Sequence, residues 1–278
     1  MKFDIRETAS ERVILCAHRG LWGGNIPCNN IIAYEFALTE GADMIEIDVT
    51  KSADDELFIF HPGMEKRQFN KDINIRHMNA AEIRELRLCN FDGDATQIGL
   101  NTLDEVLEHF KGRCYINIDK FWSNPVEIYK AVKRHGMLDQ IVVKSHMKDE
   151  VLDVLEEVSP ELAFMPIVKE EHAWHERIKA RNINYVGVEV VFKKDDCYLA
   201  SDEFGEKMHK DNVLVWANSI VYDYQAVLSG GHSDDTAFTV SPEYGWGWMG
   251  DRPFDIIQTD WPLMLIEYLK KTGRYYRK

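Results

Sequence analysis

Gly41-Ala42-Asp43-Met44-Ile45-Glu46-Ile47-Asp48-Val49 is apolar and acidic by turns. On a strand, neighbouring side chains point to opposite faces, so Glu46 and Asp48 share one face while Ile45 and Ile47 take the other. Tyr115-Ile116-Asn117-Ile118-Asp119 repeats the arrangement and puts Asn117 and Asp119 on a common face. Working outward, similar short apolar runs cover 13–17, 43–49, 114–119, 140–145, 162–168, 185–190, 213–217 and 255–259. Amphipathic segments lie between them, as at 31–40, 103–109, 126–135 and 148–157. Strand and helix alternating in this way is the signature of a parallel sheet, and eight repeats predict a (β/α)8 TIM barrel. At 278 residues, with no linker or low-complexity block, the chain reads as a single domain spanning 1–278.

A ninth run, 57–61, is too close to the second strand for a helix to intervene and reads as the return arm of a hairpin. A turn at Asp54-Asp55 sets 48 opposite 61 and brings His61 beside Asp48; a one-residue slip would turn His61 away. From 62 to 100 the chain is polar, with one helical piece at 80–86, and reads as a small insertion over the barrel mouth. Residues 229–251, rich in Gly and aromatics (Tyr244, Trp246, Trp248), read as an ordered loop near the same end.

Barrel enzymes keep their chemistry at the C-terminal ends of the strands, and the charges of this chain gather there. His18-Arg19-Gly20 follows the first strand directly. Two like carboxylates on one strand face repel by roughly 4 kcal/mol at ~4 Å and an effective dielectric of ~20. A third carboxylate, Asp119, then calls for protonation, a basic partner or a cation, and an all-oxygen set suits Mg²⁺ or Ca²⁺. The competing reading makes Glu46 and Asp48 ordinary strand-end residues in salt bridges. His18 and His61 are candidate proton carriers, and Arg19 could fork a phosphate. Glu189 ends a strand, where it either binds a substrate hydroxyl or pairs with Lys193. Trp216 either walls the pocket or packs in the core. Trp246 and Trp248 either cover a head group or pin their own loop.

Composition narrows the partners. The net charge of −14 disfavours nucleic acid and anionic lipid surfaces. A small anionic substrate stays compatible where a metal inverts the local field. Five scattered cysteines without C-x-x-C spacing argue against a disulfide scaffold or a zinc site. No run approaches the 18 apolar residues of a membrane span, so no stable membrane insertion is expected. The charged N-terminus lacks the apolar run of a signal peptide, which points to the cytoplasm. No feature specifies an oligomeric state.

Taken together, His18-Arg19-Gly20, the 41–48 strand, His61, Asn117-Ile118-Asp119-Lys120 and Thr259-Asp260-Trp261-Pro262 resemble the glycerophosphodiester phosphodiesterase family in order and spacing, over nearly the whole chain. The resemblance implies a (β/α)8 barrel with one divalent metal on Glu46, Asp48 and Asp119. It implies His18 and His61 as acid and base on opposite sides of the phosphorus, with Arg19 and a lysine holding the phosphate. The implied substrate is a small glycerophosphodiester, cut to sn-glycerol 3-phosphate and an alcohol. Four positions depart from the pattern. Pro27-Cys28-Asn29-Asn30 stands where Pro-Glu-Asn-Thr is usual, His61-Pro62 replaces His-Asp, and Asp119 replaces a glutamate. Phe121 stands where a lysine is expected. Lys120 faces away on a regular strand, so a bulge there, or Lys144 on the next strand, must supply the cation. Rival readings are phospholipase D-like action on a lysophospholipid or sphingolipid, and a non-catalytic ligand-binding barrel.

Overall fold

The structure, a computed structural model, describes residues 3–277 apart from 222 and 224. Nine strands form one sheet: β1 (Ile14–Ala17), β2 (Met44–Lys51), β3 (Leu57–Ile59), β4 (Tyr115–Asp119), β5 (Ile141–His146), β6 (Ala163–Lys169), β7 (Gly187–Val191), β8 (Leu214–Asn218) and β9 (Ile256–Thr259). Eight pair in parallel in the order β1-β9-β8-β7-β6-β5-β4-β2, and β1 pairs back onto β2 to close the barrel. The extra strand β3 pairs antiparallel with β2.

Alternation along the strands sorts the side chains into two cores. Ile45, Ile47, Ile116, Ile118 and Val143 face the surrounding helices in one large cluster. Ile14, Met44, Tyr115, Val142, Leu214 and Ile256 point inward and form an apolar floor. The short helix Ile5–Glu11, which the sequence reading left out, supplies Ile5 and Ala9 to the same floor, and Phe3 just before it joins them. Asp4 caps it by accepting from the Arg6 and Glu7 amides, and Phe3 meets Tyr115 edge to face at 5.1 Å. Inward positions nearer the strand C-termini (Glu46, Asp48, Asn117, Lys144, Glu189) are polar. The floor is dry and the roof is charged.

The hairpin forms, but with a different register from the one expected. Val49 lies opposite Ile59 and Lys51 opposite Leu57, and the Phe60 amide donates to the Asp48 carbonyl at 2.9 Å. Residue 60, not 61, therefore opposes 48. The turn is one residue tighter because it centres on Asp54, with Asp55 left-handed (φ 70). β3 ends at Ile59, so the orientation of His61 comes from the turn into Pro62 and not from strand alternation.

Residues 62–100 hold two short helices (Glu65–Phe69, Ala80–Arg84) and a 3₁₀ turn, packed on a small core of Phe58, Phe60, Phe69, Ile75 and Ile83. Residues 229–251 are also more regular than expected. They contain the helix Asp234–Thr239, a π-helical turn Glu243–Gly247 and the turn Trp248–Gly250.

Arg19 (φ 57) and Gly20 (φ 78) are consecutive left-handed residues that swing the chain across the mouth after β1. A Cβ on Gly20 would lie 2.7 Å from the Ala33 carbonyl carbon. Gly20→Ala is expected to cost more than about 2 kcal/mol, combining left-handed strain with backbone overlap. Gly63 (φ 92) has no atom within 4 Å of its would-be Cβ, so Gly63→Ala should lose only about 1 kcal/mol. Urea denaturation of both variants measures the difference, and equal losses would show that overlap at Gly20 is absent.

Candidate active site

Adjacent parallel strands in register place the three acids together. β2 and β4 align Glu46 with Asn117 and Asp48 with Asp119. One carboxylate oxygen from each of Glu46, Asp48 and Asp119 lies within 4.8 Å of the other two. Glu46 Oε2 accepts from the Arg19 amide at 3.0 Å, an N–H that the left-handed turn aims inward. Asp48 Oδ2 accepts from Asn29 Nδ2 at 2.9 Å and lies 3.0 Å from Arg19 Nε. Asn29 is itself held by the Tyr34 hydroxyl, which donates to its Oδ1 at 2.9 Å.

Lys120 does not face away. It takes φ 62, breaks the strand after Asp119, and brings its Nζ to 2.6 Å from Asp119 Oδ2 and 3.9 Å from Asp48 Oδ1. The left-handed residue does what a bulge would have done. Lys144 is buried on the adjacent strand, β5; it pairs with Glu189 at 2.8 Å and sits 4.0 Å from the Trp216 ring centre. Glu189 therefore pairs with Lys144 rather than Lys193, and its other oxygen accepts from Asn218 at 2.7 Å. Trp216 is fully buried in the floor cluster and does not wall the pocket. Its Nε1 donates to Asn218 at 3.2 Å. Trp246 and Trp248 also pack within their own segment, Trp246 on buried Asp234 and Trp248 stacked on His232 at 4.0 Å.

Both histidines reach one cavity of about 590 Å³, whose walls also include Arg19, Glu46, Asp119, Lys120 and Lys144. His61 Nδ1–H donates to the Pro62 carbonyl at 2.9 Å, which leaves Nε2 as the bare nitrogen of the neutral ring. Burial holds this imidazole below its ordinary range; Asp48 opposes the shift, and Arg19 and Lys120 add to it. His18 is oriented by Asp260, whose Oδ1 lies 2.9 Å from Nδ1.

Asp260 was quoted as part of a motif, but the group that positions it was missed. Asp234, fully buried, accepts from the Ser219 and Thr259 hydroxyls, the Trp246 indole and the Asp260 amide at 2.7–3.0 Å. It pins the end of β9 and, through Asp260, the His18 ring. Nothing local marks it, because its partners are spread from 219 to 260. His146 was also missed, although it follows Lys144 by two on β5 and so shares its inward face. It lines the cavity beside Trp122, with ring centres 5.9 Å apart.

The carboxylate cluster fits a hard cation on two grounds. Asp48 Oδ1 is buried and accepts no hydrogen bond. Burial, with Asp48 close by, pushes the Glu46 carboxyl up to about 7, whereas Lys120 and Lys144 outweigh burial at Asp119 and hold it below the usual range. A second His/acid group, His175 with Glu176 and Asp211, lies outside this cavity. There Asp211 is already shared by His175 and Lys179, each at 2.7 Å.

Asp234 sets a pH dependence. Burial, reinforced by Asp260, pushes its carboxyl up to about 6 against the pull of its donors. A raised acid favours the neutral form in the folded state, so its stabilisation is full below about pH 4 and is lost as pH rises through 6. Between pH 4 and 7.5 the protein should lose about 3 kcal/mol relative to Asp234→Asn, at ~1.4 kcal/mol per pH unit. Denaturation of both proteins across that range tests the slope, and parallel curves would refute it.

Comparisons with known proteins follow the same lines. A family model described only as a domain of unknown function matches residues 164–269. A glycerophosphodiester phosphodiesterase of Bacillus subtilis is 24% identical over 164 residues, 52% of this chain and 56% of that protein. A lysophospholipase D of Rattus norvegicus is 30% identical over 149 residues, 49% of this chain and 46% of that one. The chain thus spans about half the length of the curated relatives it matches. Solved structures match over nearly all of it. A glycerophosphoryl diester phosphodiesterase from Parabacteroides distasonis superposes with a TM-score of 0.79 at 16% identity, covering 98% of this chain and 94% of that one. An Oleispira antarctica phosphodiesterase, in complex with the product sn-glycerol-3-phosphate, gives 0.68 at 20% identity, covering 92% and 96%. The closed parallel barrel is the fold of these solved phosphodiesterases, and in sequence the chain is similar to glycerophosphodiester phosphodiesterases over about half its length.

Proposed function

We propose that this protein hydrolyses glycerophosphodiesters to sn-glycerol 3-phosphate and an alcohol. The observation that carries the reading is the convergence of His18, His61, Arg19, Lys120 and the acids Glu46 and Asp119 on one cavity. Glu46, Asp48 and Asp119 would hold a single Mg²⁺ or Ca²⁺, which when bound offsets negative charge on the phosphoryl oxygens.

The remaining work falls to the chain. Arg19, braced on Asp48, and Lys120, braced on Asp119, give a phosphate two fixed cations. His61, neutral with Nε2 bare, takes the proton of the attacking oxygen, which is either water or a glycerol hydroxyl whose cyclic phosphate water then opens, as the bond from phosphorus to the alcohol breaks. His18, held by Asp260, returns a proton to the leaving alkoxide. Lys144 and Glu189 neutralise each other and orient Asn218 at the cavity wall.

A second reading, a lysophospholipid substrate, draws on the far wall of the same cavity. There Ile167, Val191, Ile220, Val227 and Leu228 offer an apolar surface that the hydrophilic insertion does not. An acyl chain would lie along it, and a relative is named a lysophospholipase D.

Turnover of glycerophosphocholine should be abolished by EDTA and restored by Mg²⁺ or Ca²⁺. His18→Ala and His61→Ala should each lower kcat by about 10²–10⁴-fold. Because His61 titrates below 6.5, the acidic limb of kcat/KM should fall below that pH and disappear in His61→Ala. Activity indifferent to EDTA and to both substitutions would reject the mechanism. Faster cleavage of a lysophospholipid than of its deacylated counterpart would select the second reading.

A further inference from the structure

We propose that the protein has a second substrate subsite, in the cavity between the loop after β1 and the 62–100 insertion, that takes a polyhydroxylated alcohol. The inference rests on the hydrolytic reading above and names the alcohol half of the substrate. This cavity is about 560 Å³, nearly the volume of the histidine-lined one, and Arg19 lines both. A phosphodiester carries two substituents on one phosphorus. With the phosphate on Arg19, one substituent lies in each cavity.

The lining selects the chemistry. Trp22, Arg67, Gln68, Asn90, Asp92 and Asp94 face the space. Arg67 stacks over the Trp22 ring at 5.7 Å, which stiffens an aromatic wall. Asp92 and Asp94 accept from hydroxyls, Asn90 can do either, and Arg67 donates. Gln68, almost fully buried, donates its Nε2–H to Cys28 Sγ at 2.8 Å and so ties two sides of this wall together. A polyol supplies donors and acceptors together and satisfies such a mixed wall.

A trimethylammonium group does not satisfy it. Trp22, Asp92 and Asp94 attract its charge and Arg19, Lys66 and Arg67 repel it, but with no N–H or O–H it leaves the acceptors of this wall without hydrogen bonds. A second phosphate would be repelled by Asp92 and Asp94. Cys28 lies on the same wall. It is a small neutral group and leaves Arg19, which both cavities share, without a further acid on this side.

The test compares kcat/KM for glycerophosphoinositol and glycerophosphocholine in the wild type, Trp22→Ala and Asp94→Asn. The wild type should prefer the inositol diester at least tenfold, and each substitution should cut that ratio at least fivefold, chiefly through KM. A wild-type ratio of one or less, or a ratio that survives both substitutions, would overturn the subsite. Calorimetry on His18→Ala, with and without Trp22→Ala, reads glycerophosphoinositol binding without turnover. If neither diester is cut, the hydrolytic reading falls and calorimetry still decides. At least fivefold weaker binding without Trp22 supports the subsite, and equal affinities overturn it.

Discussion

Three carboxylates on two adjacent strands are held close together in a buried site, and much of the surrounding chain compensates for that. Their mutual repulsion is a cost the fold cannot avoid, because parallel register fixes Asp48 opposite Asp119 and alternation fixes Glu46 on the same face. Removing one compensating partner from such a group leaves a buried charge unpaired, which is worth several kcal/mol. The local geometry follows from this constraint. Arg19 and Lys120 both adopt left-handed backbones at strand ends, the one conformation that turns an amide or an ammonium back over the acids. Asn29, also left-handed (φ 58), reaches Asp48 from a third direction. Three of the seven left-handed non-glycine residues described thus touch the acids, where surrounding contacts hold the geometry.

Legibility in the sequence followed periodicity. Alternation between Met44 and Asp48, and again between Tyr115 and Asp119, reported the barrel and the acid cluster because a period of two is a property of the backbone alone. Lys120 stayed undecided for the same reason: alternation turns it away unless the strand breaks, and a single left-handed residue breaks it. The hairpin was found from its spacing, but its register slipped by one, since turn geometry around Asp54 depends on φ values that no residue type there dictates. Trp216 could not be assigned from its position at a strand end, because the layer it occupies depends on the stagger of neighbouring strands. The helix Ile5–Glu11 escaped notice because only Ile5 and Ala9 of it bury, too few to produce a visible stripe.

Asp234 illustrates a different kind of illegibility. Its importance comes from four donors contributed by β8, β9 and a helical excursion, separated by up to 26 residues. No window of sequence contains that set. Yet the Asp234 hub fixes Thr259 and Asp260, and Asp260 fixes the His18 ring, so a segment outside the cavity sets the orientation of a group inside it. The regular helix Asp234–Thr239 in what looked like a loop has the same cause. A capping box at Ser233 and Thr236 holds Asp234 in the first turn, aimed at the end of β9.

The division between dry floor and charged roof bears on both cavities. Apolar packing beneath Glu46 and Lys144 excludes water from one side of the acid layer, which raises Glu46 and strengthens every pairing in it. Compensation must then come from above, from the loops that follow β1 and β4. The loop after β1 also lies between the two cavities, because Arg19 lines both. An arginine held on Asp48 by electrostatic need is thereby a rigid wall for substrate, positioned before any ligand arrives. Cys28 lines one of these cavities and Lys120 the other, and of the two only Lys120 pairs with the carboxylates that Arg19 serves.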